Sequence, residues 1–238
     1  MRSFRFAIGF VSAWGLAGTA LAHIPVFSDA STGTTPETAV FIDDATISHA
    51  VYHEVTDETA RLWVTFDLQA GQEIYVQFGI PALDRLEDFR PAVAVLGPGL
   101  PALDLPFNTP DGLGGLLYTT ADVDEPEYFY EKFTGTESWI FGELVDSAVE
   151  TGKHYAVAYV PSGDLGKFWV AIGRREVFEP QDIAALPTLV PQVREFHEVE
   201  DPNAIPCFLL PAAAGFGAFL LVNSTRGGRH GLAKGGRA

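Results

Sequence analysis

Short segments in which apolar and polar residues alternate recur through the middle of the chain, and they limit its fold more than any other feature. In residues 61–68 the side chains of Leu62, Val64 and Phe66 fall on one face. Alternation with a period of two is the pattern of a strand that buries one face. Residues 73–79 repeat the pattern after a four-residue turn, so the two segments are predicted to form a hairpin.

Three further segments are predicted as strands: residues 92–96, 153–160 and 167–172, the last two as a second hairpin. Residues 98–115 contain four prolines and four glycines and are predicted to be a long irregular loop. Many short strands without a strand–helix–strand rhythm predict a mainly β domain over residues 23–180, an antiparallel β-sandwich or jelly roll.

The pattern changes after residue 180. Residues 181–186 are predicted to form a helical turn and residues 193–199 a short helix. An acidic segment that contains proline follows, at residues 198–206. We therefore predict that residues 181–205 form a short helical and acidic stalk.

The first 22 residues have the three parts of a secretory signal peptide. Arg2 and Arg5 supply the positive charge, residues 6–17 are mostly apolar, and residues 20–22 read Ala-Leu-Ala. Cleavage after residue 22 would leave His23 as the first residue of the mature protein. The alternative is an N-terminal membrane anchor that is not cleaved.

A second apolar run, residues 206–222, carries no charged residue. Its 17 residues are near the shortest length for a transmembrane helix, since a helix rises about 1.5 Å per residue and the bilayer core is about 30 Å thick. A basic tail, residues 223–238, predicts a single-pass protein of the cell membrane with this tail in the cytoplasm and the N-terminal domain outside, periplasmic or extracellular. A buried core helix and a sorting signal removed after export are the alternatives. The basic residues of the tail are Arg226, Arg229, Lys234 and Arg237.

Residues 23–205 hold all 31 acidic residues against nine basic ones, a formal net charge of −22. This surface repels nucleic acid and anionic lipid headgroups, so neither is expected as a partner, whereas cations and basic proteins are compatible with it. The single cysteine, Cys207, lies in the second apolar run, so the exported domain is predicted to fold without a disulfide.

Residues 47–55, 62–67 and 70–76, followed later by residues 152–157, resemble the pre-peptidase C-terminal type of bacterial β-sandwich. The match includes the sequence Ala-Gly-Gln before a hydrophobic strand and a later strand that reads Gly-Lys-His-Tyr-Ala-Val. This resemblance implies a secreted sandwich that accompanies hydrolases or surface proteins. The chain departs from the family at residues 60–62, where Ala-Arg-Leu replaces an Asp-rich stretch. Residues 89–101 and 133–139 resemble uncharacterised exported bacterial proteins.

Two groups of residues are candidate metal ligands. A mature N-terminal His23 would chelate copper through its α-amine and its imidazole, and His49 and His53 would add ligands from one face of a strand or helix. The alternative is three histidines that bind no metal.

Calcium is the second candidate metal, because Asp122, Asp124 and Glu125 offer closely spaced carboxylates in a predicted loop. The alternative is a solvated acidic loop. Copper and calcium are therefore the cofactors that the sequence leaves open.

The sequence contains no Gly-x-Ser-x-Gly, His-Glu-x-x-His or P-loop motif, so no catalytic residue is assigned. Trp139, in an apparent loop, is the candidate ligand-binding aromatic residue, and Tyr128 and Tyr130 lie close to it in sequence. The favoured interpretation is a membrane-anchored binding or structural module, not an enzyme, with an extracellular protein or a glycan as its partner. An exported copper protein and an accessory subunit of a membrane complex are the alternatives.

Overall fold

The computed structural model of the protein describes residues 23–201 and residue 203. The predicted signal peptide and transmembrane run both lie outside these residues. No helix within the described residues is long and apolar enough to cross a membrane.

The described residues form two β-sheets that pack face to face as a sandwich. One sheet has six strands, in the order β1-β3-β11-β5-β9-β8, and the other has five, in the order β2-β4-β10-β6-β7. Neighbouring strands are antiparallel except at one edge of each sheet, where β1 pairs with β3 and β2 with β4 in parallel. The strands are β1 Ile24–Phe27, β2 Val40–Phe41, β3 His49–Val55, β4 Arg61–Leu68, β5 Glu73–Pro81, β6 Ala92–Gly97, β7 Gly114–Thr119, β8 Glu127–Glu131, β9 Thr136–Ser147, β10 Gly152–Tyr159 and β11 Gly166–Ile172.

The main core lies between the two sheets and follows from the alternation in the sequence. Val64 and Phe66 of β4 enter it from the five-stranded sheet, and Val76 and Phe78 of β5 enter it from the six-stranded sheet. All four side chains are at most 2% exposed. The mainly β sandwich predicted from the sequence is therefore present.

Both predicted hairpins are wrong, although their strands are correct. β4 pairs with β10 and β2, whereas β5 pairs with β11 and β9, so the turn between β4 and β5 crosses from one sheet to the other. The turn between β10 and β11 crosses in the same way. Alternation identifies which face of a strand is buried, but two strands that face each other across a core show the same alternation as two neighbours in one sheet.

The proline-rich segment before β7 is irregular, as predicted, and it covers the outer face of the five-stranded sheet. Leu105 and Phe107 of this segment pack against Trp63, Tyr155 and Val157. The ring of Phe107 meets that of Trp63 edge to face, with centroids 5.9 Å apart. The segment thus closes a second, smaller core.

Residues 180–196 form one continuous helix, where the sequence predicted a helical turn and a separate short helix. Helix α1, Pro180–Phe196, begins at a capping box in which the backbone N–H of Glu179 donates to the Asp182 carboxylate at 2.8 Å. It continues through two prolines, Pro187 and Pro191, where the sequence predicted a break. Near its C-terminal end, Val193 is fully buried.

Candidate binding pocket

A small pocket lies on the outer face of the six-stranded sheet, where the C-terminal end of α1 meets it. All six strands of the sheet and the residue that caps α1 contribute side chains, and the cavity volume is about 40 Å³. A volume of this order holds one or two water molecules or the end of one side chain. Four aromatic residues form its walls: Tyr52, Phe129, Phe133 and Trp169.

The aromatic walls are held by their neighbours. Tyr52 of β3 stacks on Phe27, with ring centroids 5.1 Å apart, and meets Phe196 of α1 edge to face at 5.1 Å. Trp169 of β11 lies over Gly79 of β5, where an added Cβ would approach the indole ring to 2.6 Å. A glycine at position 79 is therefore required for the indole to lie flat on the sheet.

A chain of hydrogen bonds forms the floor of the pocket. Trp169 Nε1–H donates to Ser138 Oγ at 3.2 Å, and Ser138 Oγ lies 3.2 Å from His197 Nε2. His197 Nδ1 lies 2.8 Å from the carbonyl oxygen of Val193. Because a carbonyl only accepts, Nδ1 carries the hydrogen and Nε2 accepts the Ser138 hydroxyl proton. Burial lowers the pKa of His197 to about 4, so the imidazole is neutral at neutral pH.

Glu131 places a carboxyl group in the pocket at the end of β8. One of its oxygens accepts the backbone N–H of Phe133 at 2.7 Å. Burial raises the pKa of Glu131 to about 7, the Phe133 hydrogen bond opposes that shift, and the nearby charge of Glu176 adds to it. The carboxyl group therefore changes its charge close to neutral pH.

Two basic side chains fix the end of α1 next to the pocket. Arg194 is 8% exposed and donates to the carbonyl oxygens of Thr134 at 2.7 Å and Asp201 at 2.8 Å. Lys167 of β11 donates to the Glu198 carboxylate at 2.9 Å. The loop that carries Thr134, the helix and the sheet are thereby held together around the pocket.

The three histidines predicted to bind copper are not all brought together. His23 lines the pocket and its Nδ1 pairs with the Ser48 hydroxyl, while burial, and to a smaller extent His49, lowers its pKa to about 4. His53 is 1% exposed, and its two nitrogens are 2.7 Å from Ser28 Oγ and 2.8 Å from the Thr59 carbonyl oxygen. His53 therefore has no nitrogen left to bind a metal. Copper at His23 and His49 stays a prediction.

The calcium candidates Asp122, Asp124 and Glu125 are all exposed, in the connection between β7 and β8. Within the described residues, no group of three His, Cys, Asp or Glu side chains has the spacing of a metal site. Calcium at this loop likewise stays a prediction.

Trp139 lies in strand β9, not in the loop predicted for it, and packs partly against the main core. Tyr128 of β8 pairs directly with it, and Tyr130 falls on the same face, opposite Glu137. Tyr128 and Tyr130 are 56% and 46% exposed. The structure therefore brings these three aromatic residues to one face of the β8–β9 pair, the face opposite to Glu131.

Four residues of the pocket were missed in the sequence: Tyr52, Glu131, Ser138 and His197. None of them belongs to a recognisable motif. They lie on β3, β8, β9 and at the end of α1, which are distant from one another in the sequence. The one local signal is the sequence Glu-Tyr-Phe-Tyr-Glu over 127–131, which predicts a strand with both glutamates and Phe129 on one face and the two tyrosines on the other.

No family model and no curated protein matches the chain. Solved structures that resemble it include the periplasmic inhibitor of g-type lysozyme from Aeromonas hydrophila, 14% identical, with 57% of this chain and 96% of that chain covered and a TM-score of 0.32. They also include the pre-peptidase C-terminal domain of a collagenase from Bacillus anthracis, 11% identical, with 57% and 95% covered and a TM-score of 0.29. This second structure is a domain of the type that residues 47–76 and 152–157 resemble in sequence.

Proposed function

We propose that the chain is an exported, membrane-tethered binding module, not an enzyme, and that the pocket on the outer face of its six-stranded sheet is the binding site. The observation that carries this proposal is the pocket itself, where four aromatic side chains and one half-buried carboxyl group line the same space. Binding sites in proteins are commonly apolar clefts with a few placed polar groups.

The burial of the floor favours binding over catalysis. The Ser138 hydroxyl of the lining donates to His197 and accepts the Trp169 N–H. Ser138 and His197 are each 6% exposed. A hydroxyl with so little access is poorly placed to attack a substrate, whereas its hydrogen bonds keep the aromatic walls in position.

A pocket-filling variant tests the proposal. Gln77→Trp places an indole at a half-buried position that lines the pocket, and Val145→Trp places one at an exposed position of the same sheet outside it. We expect a panel of amines, carboxylates, monosaccharides and short peptides to include ligands of the full-length chain in detergent. Ligand-observed NMR should show their binding lost in Gln77→Trp and kept in Val145→Trp. Turnover of glycan, peptide or ester substrates by the purified chain would contradict the proposal.

The tether is tested separately. Mass spectrometry of the chain recovered from membranes should find His23 as the mature N-terminus, and alkaline washing should leave the chain in the membrane fraction. Release of the chain by the wash would refute the tether and leave the pocket unaffected.

A further inference from the structure

We propose that the pocket receives the ammonium group of a lysine side chain from a basic partner protein, with Glu131 as its counter-ion. This inference rests on the proposed binding function and names the chemical class of the ligand.

The first support is the combination of groups in the pocket. The Glu131 carboxyl group lines the same space as the rings of Tyr52, Phe129 and Trp169. Aromatic faces attract cations, and the attraction is stronger where water is excluded. A carboxylate inside aromatic walls is therefore suited to an organic cation with an alkyl stem, since the rings contact the stem and the carboxylate pairs with the charge.

The size of the pocket selects between the two basic side chains. An ammonium group is compact, whereas a guanidinium group is planar and needs a bidentate partner arranged in its plane. One oxygen of Glu131 already accepts the backbone N–H of Phe133. A space of about 40 Å³ with one carboxyl group thus fits lysine better than arginine.

A bare metal ion fits the pocket poorly. Calcium takes six to eight oxygen ligands, and Glu131 is the one carboxyl group in the lining. In the described part of the chain, no three His, Cys, Asp or Glu side chains gather at metal-binding spacing.

Charge complementarity points to a basic protein as the source of the lysine. Residues 23–205 carry a formal net charge of −22, which attracts a basic surface from a distance and speeds association. The pocket then adds one specific contact, between Glu131 and a lysine of the partner, to this long-range attraction.

The groups around Glu131 make the binding depend on pH in a defined way. Burial lowers the pKa of His23 and of His197 to about 4 and raises that of Tyr52, so all three are neutral between pH 6 and pH 8. Glu176 is a carboxylate that repels a second negative charge at Glu131. In the full-length chain, where His23 carries no free α-amine, Glu131 is therefore the group in the pocket that titrates in this range, and a bound ammonium group would favour its ionised form.

Isothermal titration calorimetry of the full-length chain in detergent with Nα-acetyl-lysine methylamide tests the inference. Lysine stays charged up to about pH 10, so the pH profile reports on the protein. We expect the affinity to rise about tenfold from pH 6 to pH 8, with release of a proton on binding below pH 7. The norleucine analogue, which lacks the charge, should bind at least tenfold more weakly at pH 8.

Two variants form the matched pair. Glu131→Gln should lose at least tenfold in affinity and lose the pH dependence, while Glu137→Gln, an exposed carboxylate on the neighbouring strand and the opposite face, should keep both. Should Glu131→Gln fail to fold, the wild-type pH profile and proton release decide the question.

The remaining outcomes are distinct. Equal binding of the lysine and norleucine probes, or unchanged binding by Glu131→Gln, would overturn the lysine assignment. A second outcome is that the lysine probe does not bind, but another class of ligand does and Gln77→Trp abolishes its binding. That result would overturn the lysine assignment and support the proposed binding function. Absence of any pocket ligand would remove both.

Discussion

Position 97 of β6 requires glycine, because the imidazole of His154 on the neighbouring strand β10 fills the space that a Cβ would occupy. An added Cβ would lie 2.2 Å from His154 Cδ2 and 2.5 Å from Nε2. His154 is fully buried, and its Nδ1 is held 2.9 Å from the Gly152 carbonyl oxygen, so the ring cannot move aside. We predict that Gly97→Ala lowers the free energy of unfolding by about 1–3 kcal/mol.

Chemical denaturation of the full-length chain measures this effect, and the double variant Gly97→Ala with His154→Ala supplies the control. Because the clash is absent from the double variant, its loss of stability should be smaller than the sum of the two single losses. Strict additivity would show that the contact between Gly97 and His154 is not the cause.

Ser138 links the indole of Trp169 to the imidazole of His197. Ser138→Ala leaves a buried N–H donor and a buried nitrogen acceptor without this partner, which we expect to cost about 1–3 kcal/mol. Ser147→Ala, at an exposed position of the same strand, should change stability by less than about 0.5 kcal/mol. Similar melting temperatures for the two variants would contradict a structural role for the Ser138 hydroxyl.

At the scale of elements, α1 keeps its helical form at a local cost. Proline lacks the N–H that would bond to the carbonyl four residues earlier, so Pro187 leaves the Ile183 carbonyl without its helical donor. Pro187 is exposed. Pro187→Ala should stabilise the chain by about 2 kcal/mol, since a gain of about 3 in the helix is offset by about 1 from a freer unfolded chain.

Thermal unfolding checks this prediction, and Thr188→Ala, the exposed neighbour, should shift stability by only a few tenths of a kcal/mol. An unchanged melting temperature in Pro187→Ala would mean that the packing of α1 on the sheet already compensates for the proline.

The elements also show what sequence patterns report. The apolar patterns located β4, β5, β10 and β11 because each strand places apolar side chains in the core between the sheets, yet they could not distinguish pairing within a sheet from packing across the core. β9 was missed because Thr136 and Ser138 occupy buried positions at its start and because its alternation shifts at Phe141 and Gly142, where the pairing with β5 is irregular. The pocket escaped prediction for a related reason, since its residues meet only through long-range pairing.

At the scale of the whole molecule, buried histidines make stability depend on pH. Burial lowers the pKa values of His23, His53 and His197 to about 4, so between pH 6.5 and pH 4 the unfolded chain takes up protons that the folded chain does not. Glu131 acts in the opposite direction, because its pKa is raised to about 7 in the folded protein. Its protonated form therefore stabilises the folded protein at low pH, and this stabilisation is lost as pH rises from 4.5 to 7. Three histidines outweigh one carboxyl group, so stability should fall from pH 6.5 to pH 4.5.

Melting temperatures of the full-length chain across this range measure the effect. His197→Gln should reduce the number of protons taken up on unfolding by about one, and so weaken the dependence of the melting temperature on pH. A melting temperature that stays constant, or that rises on acidification, would contradict neutral buried histidines.

The crossing turns described above have a kinetic consequence. The central strand pairs of both sheets join distant parts of the chain. β4 pairs with β10, whose residues lie 84 or more positions further along, and β3 pairs with β11 at a still greater separation. Folds assembled from such distant pairings collapse to the native state slowly, on the millisecond-to-second scale. If the chain is exported as proposed above, slow folding would keep it extended for longer during its passage through an export channel.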